Sequence, residues 1–434
     1  MPDPELTDHR GRPRVVVTGL GVASPAGTTI DGFWSTLLAG RSTAAPITLF
    51  DASSHSVGFA CEVPDFDAVP YVGPKEVRRT DRVSLLALAA AADAVADAAQ
   101  APDSTSLGRG AAAELGVDQA RVAVVAGSGI GGIRTLEDQV LEYVERGPTR
   151  VSPFLVPMMM PNAPAAVIGI FHGFTGVNLA VATACATGTN AVGEGARLVR
   201  DGLADVVVAG GADACVSPIT MAAFARMGAL SRNDDPTAAS RPFDTDRDGF
   251  VMGEGAAFLV LEPLERALAR GAHIHGELMG YGATCDAHHI TAPLSDGSGA
   301  IACVQLALAD AGLDAAAVGH VNAHGTSTPH NDAAEAEAIA KVFGERGIPV
   351  TSTKGVTGHL IGAAGAVEAV AAVLAARTGQ VPPTANHHST DLPVDVVVGE
   401  PRTIAPAPAL STSFAFGGHN AALVVGPPPG ATGP

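Results

Sequence analysis

The chain has 434 residues, 47% of them hydrophobic but only 4% aromatic, and 44 acidic against 26 basic side chains leave a formal charge of −18. So much apolar material supports a large packed core and excludes a disordered chain. The negative balance argues against a broad surface for nucleic acid or anionic membrane, so an acidic partner has to meet a local basic patch.

From the amino end, MPDPELTDHRGRPR lacks the apolar core of a signal peptide. The segment RVVVTGLGVASPAG at 14–27 reads as a buried strand leaving through a glycine turn, followed by a helix carrying Trp34. The most apolar helix candidate, VSLLALAAAADAVADAAQ, is interrupted by Asp93 and Asp97, so no membrane span is expected. VAVVAGSGIGG at 122–132, VNLAVATACATG at 177–188 and ADVVVAGGAD at 204–213 are β-branched apolar runs ending in small residues. They predict strands covered on both faces. After about residue 272 the pattern returns in GHVNAHGTSTP at 319–329, IPVTSTKGVTGH at 348–359 and PALSTSFAFGGHNAALVV at 408–425. This grammar points to a duplicated α/β unit, with one half over 1–272, a second over 273–426 and a disordered tail at 427–434.

Five cysteines, Cys61, Cys185, Cys215, Cys285 and Cys303, are widely spaced with no CxxC pair and no metal-ligand rhythm. This fits a reducing cytoplasm and no bound metal. Cys61, Cys215, Cys285 and Cys303 read as small buried hydrophobes. Cys185 differs, because it follows VNLAVATA and precedes GTNAVGEGARLV, where a strand turns into a helix. Free N–H groups and positive potential at a helix amino end favour thiolate and are expected to lower its pKa. His324 in NAHGTSTP and His359 in STKGVTGHLIGAAGAVE stand at strand ends beside glycine and small hydroxyl residues. A lone histidine is more often structural than catalytic; two of them with a strand-end cysteine make a candidate site. GSGIGG lacks the acidic residue and helix context of a nucleotide loop, so its glycines are assigned to close packing.

In this order, TACATG, NAHGTSTP, TKGVTGHLIGAAGAVE and FAFGGHN resemble the active-site segments of the β-ketoacyl-acyl-carrier-protein synthases I and II. LSRNDDPTAASRPFDTDRDGFVMGEGAAFLVLE helps extend the resemblance over nearly the whole chain. It implies the thiolase fold, in which two related α/β halves form a five-layer α-β-α-β-α arrangement and pair into dimers. It also implies an acyltransferase of fatty acid elongation. Cys185 would take the growing acyl chain from a carrier-protein thioester, while His324 and His359 would orient malonyl thioester and promote its decarboxylation. Two neutral imidazoles suit that role, since Nε2–H donors can hold the enolate oxygen. Such covalent catalysis calls for no metal or redox cofactor, the substrates being carried on phosphopantetheine.

The same resemblance assigns supporting residues. Lys354 and Glu368 match a lysine and a glutamate that act on the histidines through hydrogen bonds and ordered water. Phe416 would add its backbone N–H to that of Cys185 in an oxyanion hole, and Phe414, Ala415 and Phe416 would gate the acyl tunnel. Ala415 stands where the family usually has glycine, and His419 where threonine is frequent; alanine restricts φ relative to glycine. Ile130 and Leu155 align with tunnel-lining positions, the latter reaching in from the partner subunit, and Met158, Met159 and Met160 follow it. Thr291, Thr326 and Thr328 match hydroxyls that hold the phosphopantetheine arm, although Ala292 replaces a frequent serine. Lys75, Arg78 and Arg79, placed on one exposed helix, would steer an acidic carrier protein together with Arg150.

Related activities are separated by single residues. A thiolase needs a second cysteine in the carboxyl-terminal glycine loop, where FAFGGHN has none, and a starter-type synthase places asparagine at the position of His359. A non-catalytic chain-length subunit would lack Cys185. A ketosynthase of a type II polyketide or polyene pathway, paired with such a subunit, keeps the same cysteine and histidines and stays open as an alternative to a homodimer.

Overall fold

The computed structural model describes residues 5–430. Of the expected tail at 427–434, residues 431–434 lie outside the described residues, and 427–430 form neither helix nor strand.

Runs of valine, alanine and glycine form the strands. The first half contains β1 (Val15–Ala23), β2 (Val122–Gly127), β3 (Asn178–Val181), β4 (Val206–Asp213) and β5 (Gly255–Pro263). The second contains β6 (Gly276–Cys285), β7 (His320–Asn322), β8 (Pro349–Thr351), β9 (Ala409–Ala415) and β10 (His419–Gly426). The strand order is β1-β5-β4-β2-β3 in the first half and β6-β10-β9-β7-β8 in the second, so adding five to each label converts one into the other. Directions repeat too. The pairs β1–β5 and β5–β4 are antiparallel and β4–β2 and β2–β3 parallel. In the second half β6–β10 and β10–β9 are antiparallel and β9–β7 and β7–β8 parallel. The duplication expected from the strand grammar is therefore present in the topology. Val15–Val17 of β1 pair with Gly276–Leu278 of β6 and join the halves, while a short strand at Asp395–Val396 extends the second beyond β8.

Six helices complete the repeat: α1 (Arg82–Ala98), α2 (Ala163–His172) and α3 (Thr187–Arg200), then α4 (Ser298–Ala311), α5 (Pro329–Phe343) and α6 (Ala364–Thr378). In the centre, α3 packs on β4, β2 and β10 while α6 packs on β5 and β9, so each central helix touches both halves. The outer faces are covered by α1 on β1 and β5 and by α4 on β6 and β10. The five layers implied by the resemblance are thus helix, sheet, helix pair, sheet, helix. Small residues make the central crossing possible: a Cβ on Gly188 of α3 would lie 2.5 Å from the backbone nitrogen of Ala366 on α6. The stretch Ile361–Thr378 is long and apolar enough to cross a membrane, yet 89% of it is buried inside the protein. A helix held between two sheets has to be apolar all round.

Coverage on both faces fails at β3. Asn178, Leu179 and Ala180 are exposed because β3 pairs only with β2 and forms the free edge of the sheet.

Candidate active site

The chain leaves β3, turns through Thr183–Ala186 and enters α3, and Ala184 takes the left-handed φ of 50° that presents Cys185 at the turn. Thr187 Oγ1 accepts from Thr183 N at 2.8 Å, and Thr183 Oγ1 donates to Asn190 Oδ1 at 2.7 Å, which holds the turn against the first helical residues. Cys185 is half-buried and opens on a cavity of about 420 Å³. The backbone N–H groups of Phe416 and of Cys185 itself face the sulfur and favour its charged form. The expected lowering of the thiol pKa does not occur. Burial pushes the thiol up to about 12, outweighing the Lys354 charge and the two N–H groups, while the carboxylate of Asp213 adds to the rise. Desolvation of a thiolate in an enclosed site exceeds what one helix end returns. In the free protein the balance therefore favours the thiol form.

His324 follows β7 and His359 follows β8, so two parallel neighbours deliver both rings to one end of the sheet. The sulfur of Cys185, one ring nitrogen of His324 and one of His359 all lie within 4.8 Å of one another. The imidazoles stand edge to face, with centroids 5.4 Å apart. Burial pushes both well below the ordinary histidine pKa, and the Lys354 charge pushes in the same direction. Both are neutral at pH 7. Lys354 Nζ lies 3.3 Å from His324 Nδ1 and contacts Glu368 Oε1. A donor at Nδ1 leaves the proton of a neutral ring on Nε2. Glu368 is pushed up to about 7 by burial, against the pull of Lys354. A cysteine and two histidines this close are also a donor set for a soft divalent metal.

Of the other expected residues, Ile130, Thr291, Thr326, Thr328, Phe414, Ala415 and Phe416 all line the cavity. Thr326 Oγ1 and Thr328 Oγ1 are 2.9 Å apart. Ala415 has φ −127° and ψ 157°, extended backbone that any residue adopts, so alanine is unstrained in this conformation. The left-handed positions of the turn are Gly417 and Gly418, at φ 84° and 73°. Leu155 is not on the cavity of its own subunit; it begins the short helix Leu155–Met159. That helix approaches the GSGIGG turn closely: a Cβ on Gly132 would lie 2.3 Å from Met158 O, as the close-packing assignment requires. The basic cluster departs slightly from its expected form. Lys75 lies in the last turn of the helix Val69–Val77, which kinks at Gly73, Arg78 caps it, and Arg79 falls beyond it. The Arg79 guanidinium sits 4.9 Å from the ring centroid of Phe154, four residues beyond Arg150 in the chain. Cys285 is corrected outright. It is exposed near the carboxyl end of β6, whereas Cys61, Cys215 and Cys303 are buried as expected.

Several residues of the site were not foreseen. Glu335 on α5 accepts from His324 N and Gly325 N, each at 2.7 Å, and from Thr412 Oγ1 at 2.8 Å. Asp332, one turn earlier, accepts from Thr326 N at 2.9 Å and Phe243 N at 2.8 Å. The Phe250 ring stands edge-on to His359, with centroids 5.3 Å apart. Asp213 ends β4 and ties two turns together. Two acids within the first two turns of a helix that follows HGTSTP were the available signal for Asp332 and Glu335; no local pattern marks Phe250.

The chain matches the family descriptions "Beta-ketoacyl synthase, N-terminal domain" over residues 12–267 and "Beta-ketoacyl synthase, C-terminal domain" over 275–388. It is 48% identical over 415 residues to a 3-oxoacyl-[acyl-carrier-protein] synthase 2 of Synechocystis sp., covering 94% of this chain and 97% of that protein. Among solved structures, a β-ketoacyl synthase from Burkholderia phymatum superposes with a TM-score of 0.87 at 37% identity, over 96% of this chain and 99% of that one. The ishigamide ketosynthase/chain length factor gives 0.86 at 37%, with the same coverage of each chain. These are thiolase-fold ketosynthases, and with both domain descriptions matched in sequence the chain belongs to the β-ketoacyl synthase family.

Proposed function

We propose that the chain is an elongating 3-oxoacyl-acyl-carrier-protein synthase that condenses malonyl carrier thioester with an acyl group held on Cys185, in fatty acid elongation. The observation that carries this reading is the convergence of one sulfur and two neutral imidazoles within 4.8 Å, with two backbone N–H groups at the sulfur. In the first half-reaction, Cys185 Sγ attacks the acyl thioester. A carbon–sulfur bond to Cys185 forms, the bond to the carrier's pantetheine breaks, and the proton from Cys185 leaves with the pantetheine sulfur. In the second, the carbon–carbon bond to the carboxylate of malonyl thioester breaks and carbon dioxide departs. The electron pair passes into an enolate whose oxygen is held by Nε2–H of His324 and His359. The enolate carbon attacks the acyl carbonyl, whose oxygen meets the N–H groups of Cys185 and Phe416. As the new carbon–carbon bond forms, the carbon–sulfur bond to Cys185 breaks and the departing thiolate takes up one proton from water to restore the thiol. Thr291, Thr326 and Thr328 offer hydroxyls to the pantetheine arm, Phe414–Phe416 form the gate, and Ile130 lines the acyl chamber. Metal and redox cofactors have no part in this chemistry.

The acyl carrier protein is taken to dock at Lys75, Arg78, Arg79 and Arg150. A second chain is taken to cover the free edge of β3 and the exposed apolar side chains of Phe154, Val156, Ile170 and Leu179, bringing Leu155 to the partner's tunnel. The halves divide between residues 272 and 273, and the enzyme works in the cytoplasm. Likeness to a ketosynthase/chain length factor supports a second reading, in which the pathway is a polyketide or polyene one and the second chain is an inactive subunit. Incubation with acyl carriers of graded length and malonyl carrier tests both. The expected result is an acyl adduct on Cys185, release of carbon dioxide and a 3-oxoacyl carrier two carbons longer. Elongation that needs an added chain-length subunit supports the second reading, and an adduct on any other cysteine refutes both.

A further inference from the structure

Asp213 takes no part in the steps above, yet it is completely buried and bonded to Gly129, which lines the cavity. Its carboxylate gathers donors from two separate turns. Oδ1 accepts from Ser128 Oγ at 2.7 Å, with Ile130 N at 3.4 Å, and Oδ2 accepts from Gly129 N at 2.9 Å and Gly362 N at 2.6 Å. Ser128 Oγ in turn accepts from Gly131 N at 2.8 Å. One turn carries Ile130 and the other Ile361, and both side chains line the cavity on which Cys185 opens. The turns touch: a Cβ on Gly129 would lie 3.2 Å from Ile361 Cγ2. Ile361 itself has φ 50°, a costly conformation for a β-branched residue, and it immediately precedes the N–H that Asp213 binds.

We propose that Asp213 is a positioning residue that locks the Ile130 wall to the Ile361 turn and so sets the acyl chain length the cavity accepts. The proposal rests on the elongation reading. A carboxylate presents acceptors on both oxygens, whereas an amide of the same shape has one acceptor and turns its NH₂ toward the N–H groups. Buried N–H groups that lose their acceptor are costly, so the two turns move apart to find other partners. The charge has a second effect. Asp213 is pushed up to about 6 by burial, against its hydrogen bonds, and its negative form helps hold the Cys185 thiol up.

The test compares the full chain with Asp213→Asn and with Ser128→Ala, which removes the hydroxyl that joins Asp213 Oδ1 to Gly131 N but leaves the carboxyl group in place. Acyl carriers of graded length compete for Cys185, the adducts being weighed by mass spectrometry, and alkylation of Cys185 by iodoacetamide is followed across pH. In Asp213→Asn, discrimination between the preferred chain and one two carbons longer should fall about tenfold, the scale on which apolar pockets read a methylene group. Its alkylation profile should move to lower pH. Ser128→Ala should relax length discrimination in the same direction, with an alkylation profile that stays at higher pH than that of Asp213→Asn because the carboxyl group is still there to ionise. A folded Asp213→Asn that keeps wild-type length selectivity overturns the proposal; if that variant does not fold by circular dichroism, unchanged selectivity in Ser128→Ala overturns it. Because selectivity is read at the acyl-enzyme, a wild-type protein that acylates but makes no carbon–carbon bond counts against the elongation reading alone.

Discussion

Lys354 is 1% exposed, with its ammonium against Glu368 and 3.3 Å from His324 Nδ1. Lys354→Met removes the cation paired with Glu368 and leaves a buried carboxylate whose Oε2 already has no hydrogen-bond partner among the described residues. Breaking a buried pair from one side costs about 3–5 kcal/mol. The loss should grow with pH. Glu368, already raised to about 7, rises further without the lysine, whereas in the unfolded chain it titrates near 4.5. A group raised on folding contributes stability that is complete below its unfolded pKa and lost as pH climbs through its folded pKa. Urea unfolding of Lys354→Met at pH 5.5 and 8.5 should therefore show the larger deficit at pH 8.5. Lys354→Met with Glu368→Gln removes both charges and should recover much of the stability, because no uncompensated ion remains. Activity should not recover. His324 lacks its Nδ1 donor in both variants, so carbon dioxide release from malonyl carrier should fall by about a hundredfold to a thousandfold in each, as for loss of an oxyanion-type donor. A pH-independent deficit, or a double variant that regains decarboxylation, would refute the assignment of Lys354 as ion-pair partner and orienting donor at once.

Thiol labelling should separate exposure from function: Cys285 should be alkylated first without loss of acylation, Cys61, Cys215 and Cys303 should stay silent in the folded protein, and Cys185→Ala should abolish the acyl-enzyme. Burial lowers His172 and His320 to about 4, from an ordinary value of 6.5. A depressed group contributes stability that is present above 6.5 and lost as pH falls through 4, about 3 kcal/mol each. His320→Leu should remove about that much of the acid-induced loss in urea titrations between pH 7 and 4, and an unchanged acid limb would contradict the reasoning. Reversing charge at Arg78 and Arg79 should slow turnover of carrier-bound substrates far more than of small pantetheine thioesters. The difference should shrink as salt rises and the Debye length drops below about 8 Å, and equal losses with both substrates would remove the docking role.

The sequence by itself determined the elements and the groups that converge at the candidate site. Apolar strands that end in glycine, recurring after residue 272, carry a duplication that the strand order repeats label for label. Cys185, His324, His359 and Lys354 stand in local motifs, because a nucleophile at a strand-to-helix turn and rings at strand ends need particular small neighbours, and those are contiguous in the chain. Groups that act from a distance were not legible. Asp213 and Glu335 serve backbone N–H groups 84 and 11 residues away, and a hydrogen bond to a backbone donor constrains no residue type at the donor. Charge state was likewise a property of the assembled site: a helix end next to Cys185 is visible in sequence, but the enclosure that raises its thiol to about 12 is built from segments hundreds of residues apart. Cys285 and β3 were misjudged for the mirror reason. Both sit in apolar or small-residue surroundings that read as buried, and only the sheet order puts β3 at a free edge while the cavity loops leave Cys285 uncovered, since burial depends on which neighbours a strand finds and not on its own composition.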